Sequence, residues 1–145
     1  GSLSADKRTR LLEQARVEGV GRAVVLTGFV PDDDLRALYR NALGLLFVSR
    51  AEGFGFPVVE GMACGCPVIT SNRSSMAELA EGAALLVDPE RPAEIARAIV
   101  RLCESKALRH ELSQAGRARA ATFGLERQAA GTLAVYQALI AGRTP

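Results

Sequence analysis

The 145-residue chain has the composition of an ordinary soluble globular protein, with 48% hydrophobic and 23% charged residues. Its net charge of +2 comes from dispersed Lys and Arg, and the absence of a basic block argues against nucleic-acid binding. No apolar run reaches the roughly 18 residues of a membrane span, and the N-terminus lacks a signal-peptide pattern. These features predict a single cytoplasmic domain.

The cysteines, Cys64, Cys66 and Cys103, do not predict a metal site. A zinc site needs about four ligands, and the one histidine, His110, lies in a charged helical stretch. We expect buried thiols in a reducing compartment, and no bound metal.

The first elements of the chain are a helix and an apolar segment. Ser4 is a good N-cap for a helix over residues 5–18, which Gly19 would end. Residues 23–27 are apolar and predict a strand, and residues 28–30 predict the turn that leaves it.

A second helix is predicted to begin at Pro31. Its first turn contains Asp32, Asp33 and Asp34, which complement the positive end of the helix dipole. Three adjacent carboxylates also suit Mg²⁺, and that is the less favoured interpretation.

The most informative stretch runs from the apolar residues 44–48 to Glu60. Residues 44–48 predict a strand buried on both faces, followed by a glycine-rich turn and a helix that Pro57 opens. The first amides of a helix have no intrahelical partners, so this corner is suited to an anion. Glu52 lies on the turn and Glu60 lies one helical turn further on.

Free amides suit phosphate oxygens, whereas carboxylates accept hydrogen bonds from sugar hydroxyls. The combination therefore predicts a ligand with both parts, such as a nucleotide sugar. Gly53 and Gly55 permit positive φ and close approach of the ligand to the backbone. The alternative is a tight strand-to-helix connection that carries two solvated glutamates.

The rest of the chain continues the alternation of strands and helices. Strands are predicted at residues 67–70 and 84–87, with a polar turn and a short helix between them. Arg73 in that turn is interpreted either as a partner for a phosphate or a glutamate, or as a solvated residue. From Pro92 onward three helices with apolar stripes are predicted to cover the sheet, the last beginning after the weak cap Gly124.

Alternating strands and helices predict an α/β fold, a three-layer Rossmann-like parallel sheet with helices on both faces. Ligands of such sheets bind beyond the carboxyl ends of the strands. The turns at Val30 and Glu52 are both predicted to lie there and to share one crevice.

The segment from Glu52 to Glu60, with residues 61–70 after it, closely resembles the Glu-x7-Glu signature of retaining GT-B glycosyltransferases, glycosyltransferase family 4 in particular. Weaker likenesses extend over most of the chain, at residues 28–31, 71–78 and 84–89. The resemblance implies the C-terminal, donor-binding half of a GT-B fold.

The resemblance also implies residue roles. Glu52 would be the catalytic residue that binds the donor sugar and stabilises positive charge on its ring, and Glu60 would hold the ribose hydroxyls. Val30 would contact the base. The remaining donor-binding positions are backbone groups that face the sugar and diphosphate: Gly53, Phe54, Gly55, Phe56, Pro57 and Val58.

By this resemblance the reaction transfers a hexose, with retention and without a metal or other cofactor, from a nucleotide diphosphate sugar to an acceptor hydroxyl. The stretch around Arg73 resembles mannosyltransferase-like members and favours GDP-mannose. The implied protein is bacterial and cytoplasmic, with peripheral membrane contact as a further option for the full-length enzyme.

The resemblance begins partway into the donor domain. The first strands, with an Arg and a Lys for the diphosphate, and the N-terminal domain, which binds the glycan or lipid acceptor, have no counterpart in the chain. We expect the chain to be inactive alone and to have an open sheet edge suited to self-association. The alternatives are a flavodoxin-like receiver module, a nucleotide-sugar epimerase of the same fold and, least favoured, a glycosidase.

Overall fold

The computed structural model describes residues 4–142 of the chain. The chain divides into two compact units, Gly1–Leu35 and Arg36–Pro145. The boundary falls inside helix α2, Asp32–Asn41, whose first turn contains the three aspartates as predicted.

The first unit contains helix α1, Ala5–Val17, and a 3₁₀ turn, Gly21–Ala23. The Ser4 hydroxyl accepts a hydrogen bond from the Lys7 N–H at 3.4 Å, and Gly19, at φ 74°, follows the end of the helix. The cap and the stop predicted for this helix are therefore both confirmed.

The strand predicted at residues 23–27 is wrong. The segment is an irregular connection after the 3₁₀ turn, and the Val25 side chain is 78% exposed. A strand requires a hydrogen-bonded neighbour, and the described residues form strands only in the second unit. An apolar, β-branched composition favours a strand but does not determine whether a neighbouring strand is present to pair with it.

The described part of the second unit contains a three-stranded parallel sheet. Its strands are β1, Leu45–Phe47, β2, Val68–Ser71, and β3, Leu85–Val87, in the order β1-β2-β3. Leu46 pairs with Ile69, and Thr70 pairs with Leu86. The expected parallel order is confirmed, but the sheet has one strand fewer than predicted.

Helices α3, Phe56–Ala63, and α4, Ser74–Leu79, pack on one face of this sheet, and α5, Pro92–Glu104, packs on the other. Successive β2 residues alternate between the two faces. Val68 lies in a core cluster with α3 and α4 residues, and Ile69 lies in a second cluster with α5 residues. All four β2 residues are buried, which identifies β2 as the centre of the unit.

Strand β1 is not buried on both faces, contrary to prediction, because Leu46 is 46% exposed. The strand pairs with β2 on one side, and no other described residue pairs with it. An edge position explains the exposure.

Two further helices follow α5. Helix α6, Lys106–Ala120, contributes to both core clusters, whereas α7, Leu125–Ile140, contains no buried residue. The prediction that the α7 stripe covers the sheet is wrong, since Leu125 and Ile140 are 82% and 87% exposed. Within residues 4–142 no helix is long and apolar enough to cross a membrane.

Candidate active site

The predicted glycine-rich turn connects β1 to α3. The Thr70 hydroxyl on β2 donates a 2.7 Å hydrogen bond to the carbonyl of Phe47, which fixes the end of β1 where the turn begins. Gly55 precedes the helix at φ 106° and ψ 49°, a conformation that favours glycine. A Cβ at Gly55 would also overlap the Met76 side chain on α4. Sequence and packing therefore agree on glycine at position 55.

The helix begins one residue earlier than predicted, at Phe56, with Pro57 in its first turn. The Val58 N–H donates to the Gly55 carbonyl at 3.0 Å, so the expectation of a free amide at Val58 is wrong. Pro57 has no N–H to offer. This helix start therefore offers fewer free amides than the sequence indicated.

Four consecutive amides before and at the helix start remain available. Among residues 4–142 no acceptor is hydrogen-bonded to these N–H groups, which belong to Gly53, Phe54, Gly55 and Phe56. An added Cβ at Gly53 would meet no atom within 4 Å, so the turn is open there. The turn can therefore bind an anion through its own backbone, with the helix N-terminus beside it.

Glu52 is held by hydroxyl groups at both its side chain and its main chain. Its Oε1 atom accepts a 2.9 Å hydrogen bond from the Ser49 hydroxyl. Its main-chain oxygen accepts hydrogen bonds from the hydroxyls of Ser74 and Ser75, each at 3.0 Å. Sequence reasoning missed these serines; only the Ser49–Glu52 spacing of three residues was a local signal.

Glu60 lies on the exposed side of α3, where the Tyr39 hydroxyl on α2 donates to its Oε2 atom at 3.5 Å. Partial burial and the adjacent Glu60 carboxylate raise the pKa of Tyr39 to about 12. The phenol therefore remains a hydrogen-bond donor at neutral pH. Both glutamates of the segment retain exposed carboxylates that accept from a single protein hydroxyl.

Ion pairs connect the loops that follow the three strands. Arg73, after β2, pairs with Asp88, after β3, at 2.8 Å, and Arg50, after β1, pairs with Glu90 at 2.8 Å. The Glu90 N–H and the Arg73 guanidinium hold the pKa of Asp88 below its usual range. Neither predicted interpretation of Arg73 included an aspartate partner, and its pairing gives it a structural role between two loops.

An apolar cavity of about 640 Å³ is lined by Phe54 and Phe56 of the turn and by residues around the start of α7. The rings of Phe54 and Phe56 lie 4.8 Å apart, and Phe54 meets Phe123 edge-on at 6.0 Å. Leu125 of α7 completes part of the lining, to which neither glutamate contributes. Phe54 and Phe56 thus contribute aromatic side chains to the cavity and two of the four available amides to the turn.

Comparisons with known proteins identify the family. Residues 3–119 match the family described as glycosyl transferases group 1. The chain belongs to the group 1 glycosyl transferases. The predicted family is confirmed, and the receiver-module alternative is excluded.

Among its relatives, the chain is 35% identical over 130 residues to the O-antigen chain mannosyltransferase B of Escherichia coli, and the match covers 90% of the chain and 33% of the relative. Among solved structures, it is similar to sucrose-phosphate synthase from Thermosynechococcus elongatus, with a TM-score of 0.83, 29% identity, and coverage of 98% and 38%.

A second solved structure to which the chain is similar is that of Anabaena Alr3699/HepE in complex with UDP and glucose. It has a TM-score of 0.77 and 27% identity, and the match covers 89% of this chain and 36% of the other. The predicted α/β fold is confirmed by these matches. The chain spans about a third of the length of these proteins.

The remaining predicted site residue of this group 1 chain, Val30, lies in the first unit and is partly buried. It does not follow a strand, so its expected place at the carboxyl end of a strand is wrong. Its contact with the base stays a prediction. Across residues 4–142 no group of three or more His, Cys, Asp or Glu side chains could hold a metal ion.

Proposed function

We propose that this chain is the donor-binding part of a retaining glycosyltransferase. In the proposed reaction a hexose moves from a nucleotide diphosphate sugar to an acceptor hydroxyl, and no metal or other cofactor takes part. The observation that supports this most directly is the turn at residues 52–56, where an exposed carboxylate adjoins four amides that have no acceptor within the described chain. Family membership supports the reaction class.

The proposed chemistry follows from these groups. Positive charge develops on the sugar ring as the glycosidic bond lengthens, and the Glu52 carboxylate would stabilise it. Negative charge grows on the departing diphosphate, and the amides of residues 53–56 would stabilise that charge. Glu60 would accept hydrogen bonds from the ribose hydroxyls, with Tyr39 holding the other side of its carboxylate.

The donor is proposed to be GDP-mannose. The segment of residues 70–75, which resembles mannosyltransferase-like members, and the identity to an O-antigen chain mannosyltransferase support mannose. The neighbour in complex with UDP and glucose instead supports a donor whose base is uracil. The experiment therefore compares donors that carry guanine, uracil and adenine. The acceptor, a glycan or lipid, is proposed to bind mainly outside this chain, and the complete enzyme to work in the cytoplasm or at the membrane surface.

The test is a titration of the chain, followed by NMR, which detects millimolar affinities. The ligands are GDP-mannose, UDP-glucose and ADP-glucose with their nucleoside diphosphates. We expect GDP-mannose to bind best, with shifts at residues 53–56 and an affinity that EDTA leaves unchanged. Binding of no ligand at these residues would contradict the proposed site.

Substitutions of the two glutamates separate their roles. We expect Glu60→Ala to weaken binding of GDP itself by about tenfold, since it removes a charged acceptor. Glu52→Ala should leave GDP affinity unchanged and, in an enzyme that carries the acceptor domain, lower turnover more than donor affinity. Glu111→Ala, an exposed acid on α6, is the matched control. Unchanged turnover of Glu52→Ala would contradict its catalytic role.

A further inference from the structure

We propose that Ser49, Ser74 and Ser75 are positioning residues that aim the Glu52 turn at the donor sugar. The inference rests on the proposed function, in which Glu52 binds that sugar. It adds that sugar recognition depends on three hydroxyls that do not themselves touch the ligand. Two of them, Ser74 and Ser75, are the first residues of helix α4, which follows a different strand.

The first part of the argument concerns the side chain of Glu52. An exposed glutamate samples several rotamers, and ordering it costs conformational entropy. The 2.9 Å hydrogen bond from the Ser49 hydroxyl occupies Oε1 and selects among those rotamers. Oε2 accepts no hydrogen bond from the described residues, so a sugar hydroxyl can bind there without displacing a protein donor.

The second part concerns the main chain of the same residue. The hydroxyls of Ser74 and Ser75 both donate to the Glu52 carbonyl, each at 3.0 Å. A trans peptide unit is planar, so its N–H points opposite to its C=O. Fixing the Glu52 carbonyl against α4 therefore fixes the Gly53 N–H in the opposite direction, away from the serines. That N–H is the first of the four available amides.

The third part is a strained residue. Ser74 has φ 56°, the only positive value among the non-glycine residues that the structure describes. A serine in this region costs free energy and persists only where its surroundings hold it. The residue before Ser74 is held at two points. The Arg73 N–H donates to the buried Ser71 hydroxyl at 3.1 Å, and the Arg73 side chain pairs with Asp88. The strained backbone places the Ser74 hydroxyl on the Glu52 carbonyl.

The experiment measures the ratio of the dissociation constant of GDP to that of GDP-mannose, which isolates the contribution of the sugar. UDP with UDP-glucose is used if that pair binds better. We expect Ser49→Ala, and the double variant Ser74→Gly with Ser75→Ala, each to lower this ratio by about three- to tenfold. Ser49→Ala should leave the affinity for the nucleoside diphosphate alone unchanged. The double variant also releases the Gly53 N–H, so it should weaken the nucleoside diphosphate too, but by less than it weakens the nucleotide sugar.

Two readouts separate positioning from a general structural role. Ser49→Thr keeps the hydroxyl and should restore the ratio. In the double variant, where glycine relieves the strain at position 74, the NMR order parameter of the Gly53 amide should fall while the thermal midpoint holds. Thr132→Ala, which removes a hydroxyl bonded to the Gln128 carbonyl on α7, is the matched control and should change neither quantity.

The outcomes distinguish this inference from the proposed function. If Glu52→Ala lowers the ratio but the serine variants do not, the positioning role is overturned and the role of Glu52 stands. An equal loss of affinity for both ligands would also overturn it, since that is the signature of a distorted fold. If Glu52→Ala leaves the ratio unchanged, or the intact chain does not distinguish the two ligands, the role of Glu52 fails and the inference fails with it.

Discussion

Gly55 is the residue on which the shape of the turn depends most directly. Its φ of 106° is unfavourable for any residue with a Cβ, and a Cβ there would overlap the buried Met76 side chain. We predict that Gly55→Ala lowers the free energy of unfolding by about 2–4 kcal/mol, the sum of backbone strain and overpacking. Urea unfolding followed by circular dichroism measures this.

Gly53, two residues away, is the control for that substitution. A Cβ at this position meets open space and the backbone is not in the left-handed region. Gly53→Ala should therefore change stability by less than about 1 kcal/mol. Equal losses for the two variants would show that the turn does not have the conformation described for Gly55.

Tyr39 provides a second prediction at the scale of a single residue. Burial and the Glu60 carboxylate disfavour the phenolate and raise its pKa to about 12, so the folded chain binds this proton more tightly than the unfolded chain does. The stability that comes from this difference is complete below pH 10, the ordinary tyrosine pKa, and is lost as pH rises towards 12.

An absorbance titration at the phenolate band tests this, because the chain has two tyrosines, Tyr39 and Tyr136. We expect a component that ionises near pH 12 in the intact chain and is absent from Tyr39→Phe. The free energy of unfolding of Tyr39→Phe should fall less steeply than that of the intact chain as pH rises above 10. Glu60→Gln keeps Tyr39 but removes the adjacent negative charge, so the ionisation of Tyr39 should move to lower pH. An unchanged ionisation of Tyr39 in Glu60→Gln would contradict the described contact.

At the scale of elements, the local signals in the sequence were sufficient to place most helices and strands. Ser4, Gly19 and Pro57 mark ends that depend on a residue's own backbone preferences, and those ends lie where predicted, within a residue or two. The errors concern two apolar segments, residues 23–27 and α7. Whether the first forms a strand, and whether the second is buried, depends on which other elements pack or pair with them. A single sequence does not contain that information.

The same division applies to the candidate site. The segment of residues 52–60 was recognisable because its glycines, its proline and its two acids are consecutive. The partners of that segment come from other elements: Tyr39 on α2, Ser74 at the start of α4, and Asp88, which pairs with Arg73, after β3. Only the fold brings these together, so no spacing in the sequence could indicate them.

The loop network after the strands gives the prediction at the scale of elements. Asp88 accepts from the Glu90 N–H and pairs with Arg73, which lowers its pKa in the folded chain. Its contribution to stability is therefore present above the ordinary carboxyl pKa and is lost as pH falls through the lower folded value. We predict that Asp88→Asn is less thermostable than the intact chain at pH 7 and that the difference narrows towards pH 3.

Differential scanning calorimetry across that pH range measures the difference. Glu111→Ala on α6 removes an exposed acid for which the structure gives no ion pair, and it should leave the thermal midpoint unchanged at each pH. If the difference in thermal midpoint between Asp88→Asn and the intact chain stays constant with pH, the loss of stability comes from packing and not from the ion pair.

For the molecule as a whole, the sheet of the second unit raises the question of association. Within residues 4–142, β1 and β3 each pair only with β2, so each leaves one side of its backbone without a strand partner. Leu46 on β1 and Leu86 on β3 are 46% and 40% exposed. Unpaired strand edges are templates for another chain, and Leu46 on β1 is the more exposed of these two edge leucines.

We therefore predict reversible self-association of the isolated chain through β1. Sedimentation velocity over a range of concentrations should show a monomer–dimer equilibrium, and Leu46→Lys should shift it towards the monomer, because a charge at an edge opposes pairing. Leu86→Lys is the matched substitution on the opposite edge and should leave the equilibrium unchanged. A chain that stays monomeric at all concentrations would show that the β1 edge is stable without a partner. If Leu46→Lys and Leu86→Lys shift the equilibrium equally, the contact is not specific to the β1 edge.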